Sequence, residues 1–431
     1  MKVLIKSARI IQPEKKSPVG KMDILIENGI IKKIGKSIKV DSKTKVIESG
    51  NLSVSPGWFD MKVNFRDPGE EIKEDLESGS RAAAAGGFTG VLVMPSTNPP
   101  IQNKSDIEYI IKRSQLSPVD IYPAGALSKD MAGKDITEMF DMTKAGALAF
   151  TDDKHPVADS GLMLRALQYA KNSDSLIITF ATDEGIVGKG MVNEGVHSTI
   201  AGFKGSPSLA EEIGVSRDIK LADYAESKVH FSCVSTSDAI KLIKSAKKSG
   251  RAVSCDVAAH NLILDDSNII SYNTNFKVNP PLRSSADVIA LRKAVKDGFI
   301  DVICSDHSPQ DSESKNTEFD FASYGISGIE TVYSSINTVL GFEKEPELLV
   351  RLLSSNPRKI LGLPVPEIKE GEKANITLFD NSIKWTLSES DMMSKSSNSP
   401  FIGQEFKGKV IGVVNNSKLI LVKDLATAKS A

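Results

Sequence analysis

Polar side chains able to do chemistry stand at the ends of a series of short apolar runs. The run Trp58-Phe59-Asp60-Met61 leads into Lys62, Asn64 and Arg66. Asp152-Asp153 closes the next informative run, Phe180 ends the one after it, Cys233 follows His230-Phe231, and Asp306-His307-Ser308-Pro309 comes last. Asp306 is of the type that serves as a general acid or base. Arg66 can clamp a carboxylate through two parallel N–H donors. A protonated Lys62 cannot ligate a metal, and the Asn64 amide is a poor zinc ligand. Lys62 can instead neutralise carboxylates that would be costly to bury alone. Cys233 could bind zinc as a thiolate, although such a residue is more often a small buried hydrophobe. A Cys–His nucleophile is not expected, because His230 lies three residues earlier and on a continuous strand would face the other way.

These positions need strand ends that converge. Through residues 56–364, apolar runs such as Gly90–Pro95, Val119–Pro123, Ala147–Asp153, Ser175–Phe180, Lys228–Phe231, Ala252–Asp256 and Asp301–Asp306 alternate with helical stretches. Seven or eight strand–helix units predict a parallel α/β barrel, whose active side chains sit at the C-terminal strand ends. The Gly-rich phosphate loop expected of an open nucleotide-binding sheet is not found. Residues 1–55 and 365–431 carry short strand-like runs broken by Gly, Asn, Pro and Lys, and are expected to pair into one small β-sandwich. Within residues 1–50, separate strand-like runs at residues 3–5 and 8–11 are among those expected, with antiparallel pairing. Ser388–Ser399 reads as a polar loop.

The 431 residues are 40% hydrophobic and 25% charged, an ordinary globular composition. A net charge of −1 argues against nucleic-acid or anionic-membrane partners. No run approaches the roughly 20 apolar residues of a membrane span. Three scattered cysteines without a CxxC pair suit a reducing compartment, so a cytoplasmic location is expected.

Several motifs together resemble the dihydroorotase–hydantoinase family of cyclic amidohydrolases, most closely the longer bacterial dihydroorotases with a flanking β-sandwich. They are Pro56–Gly69, Met94-Pro95-Ser96-Thr97-Asn98-Pro99-Pro100, Asn279-Pro280-Pro281-Leu282-Arg283, Asp306-His307-Ser308-Pro309, Gly325–Glu330 and Asn356-Pro357. The resemblance implies a TIM-like (β/α)8 barrel of the metal-dependent hydrolase type. In that family zinc is held at the positions of Lys62, Asn64, Asp153, Phe180, Cys233 and Asp306, with histidines at four of them. Here two carboxylates remain and the four histidines are replaced, so no cofactor is expected where the family has zinc, and Lys62 in the vacated metal position is expected to pair with Asp153 and Asp306. The resemblance also implies substrate contacts at Arg66, Asn279 and Ser96, and it puts Gln310 where the family often has His or Tyr.

The expected function is therefore that of a dihydroorotase-like protein of pyrimidine biosynthesis without zinc-dependent hydrolysis, a structural or regulatory subunit. The resemblance suggests aspartate carbamoyltransferase as partner, and a homo-oligomer. Two alternatives stand beside it. One is an active dihydroorotase or related cyclic amide hydrolase with an atypical site, in which Asp306 is the general acid or base. The other is a sensor that binds a carboxylated pyrimidine precursor through Arg66 and Asn279.

Overall fold

Alternating strands and helices through the middle of the chain close into a ring. The computed structural model describes residues 1–15 and 20–429. Eight strands build the ring: Trp58–Val63, Phe88–Val93, Asp120–Pro123, Ala149–Phe150, Leu176–Thr179, Val229–Phe231, Val253–Ala258 and Val302–Cys304. The first three pair in parallel, as do the fourth to the eighth. Single parallel bridges, Gly125 to Phe150 and Val63 to His307, join the two sets and close the circle. This is the (β/α)8 barrel that the alternation predicts. Its strands are mostly buried and rich in apolar residues, because strands with both faces covered need no polar side, with polar exceptions such as Lys62 and Asp256. Asp152 and Asp153 follow the fourth strand.

The helices between strands start at defined caps. Asp75 accepts the N–H groups of Glu77 and Ser78 at the head of helix Leu76–Ala85, and Ser78 returns a bond to the Asp75 backbone. That helix lays Ala82, Ala83, Ala84 and Ala85 onto the barrel, the small side chains permitting close approach. Among the described residues no helix is long and apolar enough to cross a membrane.

Strands from both ends of the chain form one eight-stranded sheet. Ile376–Thr386 pairs antiparallel with Leu52–Pro56 and with Glu405–Asn415. The structure departs from the sequence reading here in two ways. The expected runs at residues 3–5 and 8–11 belong to one strand, Lys2–Ile10, bent where the register slips between Ile5 and Ala8. Ser7 sits at the bend with φ 53°, held by its N–H donating to Asp23 at 2.8 Å. The pairing is also mixed, since Lys2–Ile10 runs parallel to both Lys45–Ile47 and Leu52–Pro56.

Trp58 joins the sheet to the barrel. Its backbone N–H donates to Thr377 Oγ1 at 3.1 Å and its indole N–H to Ser55 Oγ at 3.0 Å. The ring packs on Phe88, Tyr333 and Phe379 at centroid distances of 6.2, 5.2 and 5.3 Å. One side chain thus touches the first and second barrel strands and the terminal sheet. Trp58→Ala is expected to cost about 3–5 kcal/mol in denaturant unfolding; a loss below about 1 kcal/mol would show that the junction does not depend on this ring.

Candidate functional site

The first barrel strand carries Lys62 into the centre of the ring, where it meets the loop that follows the fourth strand. Lys62 Nζ lies 2.6 Å from Asp153 Oδ1, and both side chains are almost fully buried, 1% and 3% exposed. Ser96, just beyond the second strand, donates its hydroxyl to the other oxygen, Asp153 Oδ2, at 2.6 Å. The Asp153 N–H is held by Thr151 Oγ1 at 3.0 Å. Burial alone would push the Lys62 pKa down, but the charges around it, chiefly Asp153, override this and hold it above the usual lysine value. Burial would likewise raise Asp153, and Lys62 and Lys154 instead hold it well below the usual carboxylate range. The pair is ionised, as a close buried pair with a third hydrogen bond should be.

Asp306 departs from expectation. It does not take its ion pair from Lys62. Lys154, next to Asp153, brings its ammonium to 2.9 Å from Asp306 Oδ1 and 3.0 Å from Oδ2. Lys154 also donates to the Asn279 carbonyl at 2.5 Å, lies 3.6 Å from Cys233 Sγ and stands 5.2 Å from the centre of the Phe180 ring. The sequence reading missed Lys154. The signal was present, since the residue directly follows a carboxylate at a strand end, where site residues gather. The site holds two carboxylates and two lysines, each carboxylate with its own ammonium.

The remaining positions are brought together with mixed roles. Arg66 donates to Ser308 Oγ at 2.9 Å and to Glu70 at 3.3 Å, so the clamp expected for a ligand carboxylate already faces a protein one. Its buried Nε has no partner among the described residues. The Ser96 hydroxyl serves Asp153, and the Asn279 backbone serves Lys154. Asn64 Oδ1 and His260 Nε2 are buried without partners among the described residues. His307 pairs with Glu74, at 3.4 Å, rather than with Asp306. Asp152 is tied to the Ser128 N–H and hydroxyl, at 2.9 and 2.5 Å, away from the lysines.

Four of these residues share a backbone state. Arg66, Asp153, Cys233 and Asp306 have φ of 61°, 52°, 55° and 49°. Aspartate tolerates this left-handed region, but arginine and cysteine seldom adopt it unless tertiary contacts impose it. The Cys233 N–H is fixed on Asp256 Oδ1 at 2.6 Å. His230 reaches the other oxygen of Asp256 at 2.9 Å, so the turn at Cys233 brings to one carboxylate two residues that a straight strand would separate.

The Ser-rich loop contributes support the sequence did not reveal. Asn398 accepts from the Gln310 N–H at 3.0 Å and the Ser327 hydroxyl at 2.6 Å, and donates to the carbonyls of Gly325 and Ser308 at 3.1 and 3.3 Å. Ser394 donates its hydroxyl to Glu74, the partner of His307. The loop after the eighth strand is thereby pinned by a segment ninety residues later.

The six family positions do not fit zinc. Lys62 projects a protonated ammonium onto the first carboxylate, Lys154 covers the second, and Asn64 and Phe180 supply an amide and a hydrocarbon ring. A cation there would have to displace ammonium groups from both carboxylates.

Two tests follow. Lys62→Met should cost about 3–5 kcal/mol, because Asp153 is left as a buried unpaired charge, while Lys62→Met with Asp153→Leu should recover most of it. Denaturant unfolding of both variants measures this, and equal losses would contradict the pairing. The second concerns His260, whose pKa burial pushes down to about 4. The unfolded chain binds that proton first as pH falls, so the contribution of neutral His260 is complete above about pH 6.5 and is lost toward pH 4. Relative to His260→Asn, the native protein should lose about 3 kcal/mol across that window; parallel stability curves would refute it.

Comparison with known proteins places this arrangement. The dihydro-orotase-like family model matches residues 51–239. The chain is 41% identical over 425 residues to a dihydroorotase of Geobacter metallireducens, covering 97% of this chain and 99% of that one. It is 41% identical over 428 residues to a dihydroorotase of Caldicellulosiruptor saccharolyticus, covering 98% and 99%. Among solved structures, an L-hydantoinase (dihydropyrimidinase) from Arthrobacter aurescens superposes with a TM-score of 0.82 at 24% identity, covering 97% and 96% of the two chains. A dihydropyrimidinase from Brevibacillus agri gives 0.80 at 20%, covering 98% and 95%. These two structures speak for the fold, and the near full-length sequence relatives speak for descent: the chain belongs to the dihydroorotase family.

Proposed function

We propose that this chain is a dihydroorotase-like protein that does not carry out zinc-dependent hydrolysis and serves pyrimidine biosynthesis as a structural or regulatory subunit. The observation that carries this reading is the buried Lys62–Asp153 pair at 2.6 Å, set at positions where the family resemblance puts metal ligands. Hydrolysis of a cyclic amide in that family depends on a metal to bring the attacking water toward a neutral pKa. Two ammonium groups balance the carboxylates, but they supply no comparable acidity to a water. Aspartate carbamoyltransferase is the partner to try first, with self-association as a further property of a subunit of this kind. A cytoplasmic location fits both.

A second reading is favoured by the shared name of the relatives, at 41% identity over nearly the whole chain. In it the chain turns over L-dihydroorotate and N-carbamoyl-L-aspartate at an atypical site. Asp306 would then move the proton, with the Lys154 ammonium within 3.0 Å of both its oxygens. A ligand carboxylate would have to displace Glu70 from Arg66.

Turnover of both compounds, by protein free of the host's own dihydroorotase and with zinc added or omitted, separates the readings. No turnover in either condition is expected. Turnover that Lys62→Ala or Lys154→Ala abolishes would establish the second reading and overturn the first.

A further inference from the structure

Behind the two lysines lies a cluster that neither reading uses. Cys233 Sγ, Cys304 Sγ and an Asp256 carboxylate oxygen all lie within 4.8 Å of one another, and all three residues are buried. Among the described residues this is the one group of three or more His, Cys, Asp or Glu donors close enough to share an ion. The sixth, seventh and eighth strands contribute one residue each: Cys233 just past Phe231, Asp256 within Val253–Ala258, and Cys304 at the end of Val302–Cys304. Of the three, Cys233 alone stands at a position where the family resemblance implies a ligand.

The geometry points to a closed, structural site for a thiophilic divalent ion such as zinc, bound by Cys233, Asp256 and Cys304. Two thiolates at about 2.3 Å on a tetrahedral zinc lie roughly 3.8 Å apart, so donor atoms held within 4.8 Å of one another would have to close by at most about 1 Å. Cys304 Sγ is 3.3 Å from Asp256 Oδ1, near the separation of a sulfur and an oxygen on one tetrahedral centre. The Ser232 hydroxyl, 3.5 Å from Asp256 Oδ1 and 3.8 Å from Cys233 Sγ, supplies a neutral fourth oxygen.

The surroundings suit such a site. Asp256 is oriented from behind by His230 Nε2 at 2.9 Å, and His230 Nδ1 is in turn 2.8 Å from Ser254 Oγ. A ligand carboxylate is held in this way by hydrogen-bonding groups around many metal centres. Two thiolates and a carboxylate exceed a divalent ion by one negative charge. The Lys154 ammonium, 3.6 Å from Cys233 Sγ, faces that excess charge. On binding, each thiol gives its proton to solvent as its sulfur takes the ion. The site differs from a hydrolytic one in being sealed, with no position open to substrate.

The test is metal content, read independently of turnover. Full-length protein is produced in minimal medium with cobalt in place of zinc and purified without chelators. One cobalt per chain is expected, with the intense sulfur-to-metal absorption that thiolate ligation gives and a carboxylate site lacks. Cys304→Ala and Cys233→Ser should each fall below about a tenth of an ion per chain. Cys255→Ser should keep full content, since that thiol donates to the Phe299 carbonyl outside the cluster. Wild-type protein without cobalt, cobalt without the sulfur absorption, or undiminished cobalt in folded Cys233→Ser/Cys304→Ala protein would each overturn the proposal. The wild-type spectrum decides even where a variant fails to fold. Because catalysis is not the readout, a failed metal site leaves the proposed function standing, and turnover with a filled one would overturn only the latter.

Discussion

A charge buried at the centre of a barrel has to be answered by another charge, and the geometry of this site follows from that requirement. Asp153 and Asp306 lie where water cannot hydrate them. Left alone, each would be neutralised or would destabilise the fold by several kcal/mol. Lys62 answers the first and Lys154 the second. Once these pairs form, neighbouring groups have fixed duties. Ser96 completes the hydrogen bonding of Asp153, and the Asn279 carbonyl completes that of Lys154. The polar centre becomes a neutral, largely self-satisfied lattice rather than an open set of donors.

The barrel was legible from the sequence because it depends on repetition. Apolar runs of strand length separated by helical stretches can bury both faces of each strand in a closed ring or an open sheet, and seven or eight units without a Gly-rich phosphate loop favour the ring. The Lys62–Asp153 contact was legible for a related reason: both residues end barrel strands, and strand ends converge. The partner of Asp306 was not. Both lysines are near it in space, and which one makes contact depends on the left-handed turn at Asp153, which aims its neighbour Lys154 toward the eighth strand. A turn of that kind leaves little trace in residue type when the residue is aspartate. The bend at Ser7 escaped for the same reason, since serine does not announce a positive φ.

Cys233 and Arg66 show a complementary limit. Neither residue type favours a left-handed backbone, so local preference argues against the observed conformation. Contacts distant in sequence hold it: Asp256 for the Cys233 N–H, Ser308 and Glu70 for the Arg66 guanidinium. The same distant contacts bring His230 and Cys233 to one carboxylate, although their spacing on a straight strand would keep them apart.

The reach of Asn398 back to the loop after the eighth strand has a consequence for how the molecule is made. Ile376–Thr386 must also pair with Leu52–Pro56, which leaves the ribosome more than three hundred residues earlier. A nascent chain can therefore assemble most of its barrel while the terminal sheet lacks its middle strand and the Ser308–Ser327 loop lacks its anchor. Domains emerging from the ribosome tend to fold in order of synthesis. In this protein the terminal sheet gains its middle strand and the barrel mouth its anchor only when residues 376–398 arrive, so a product lacking them would carry a barrel with an unfastened mouth.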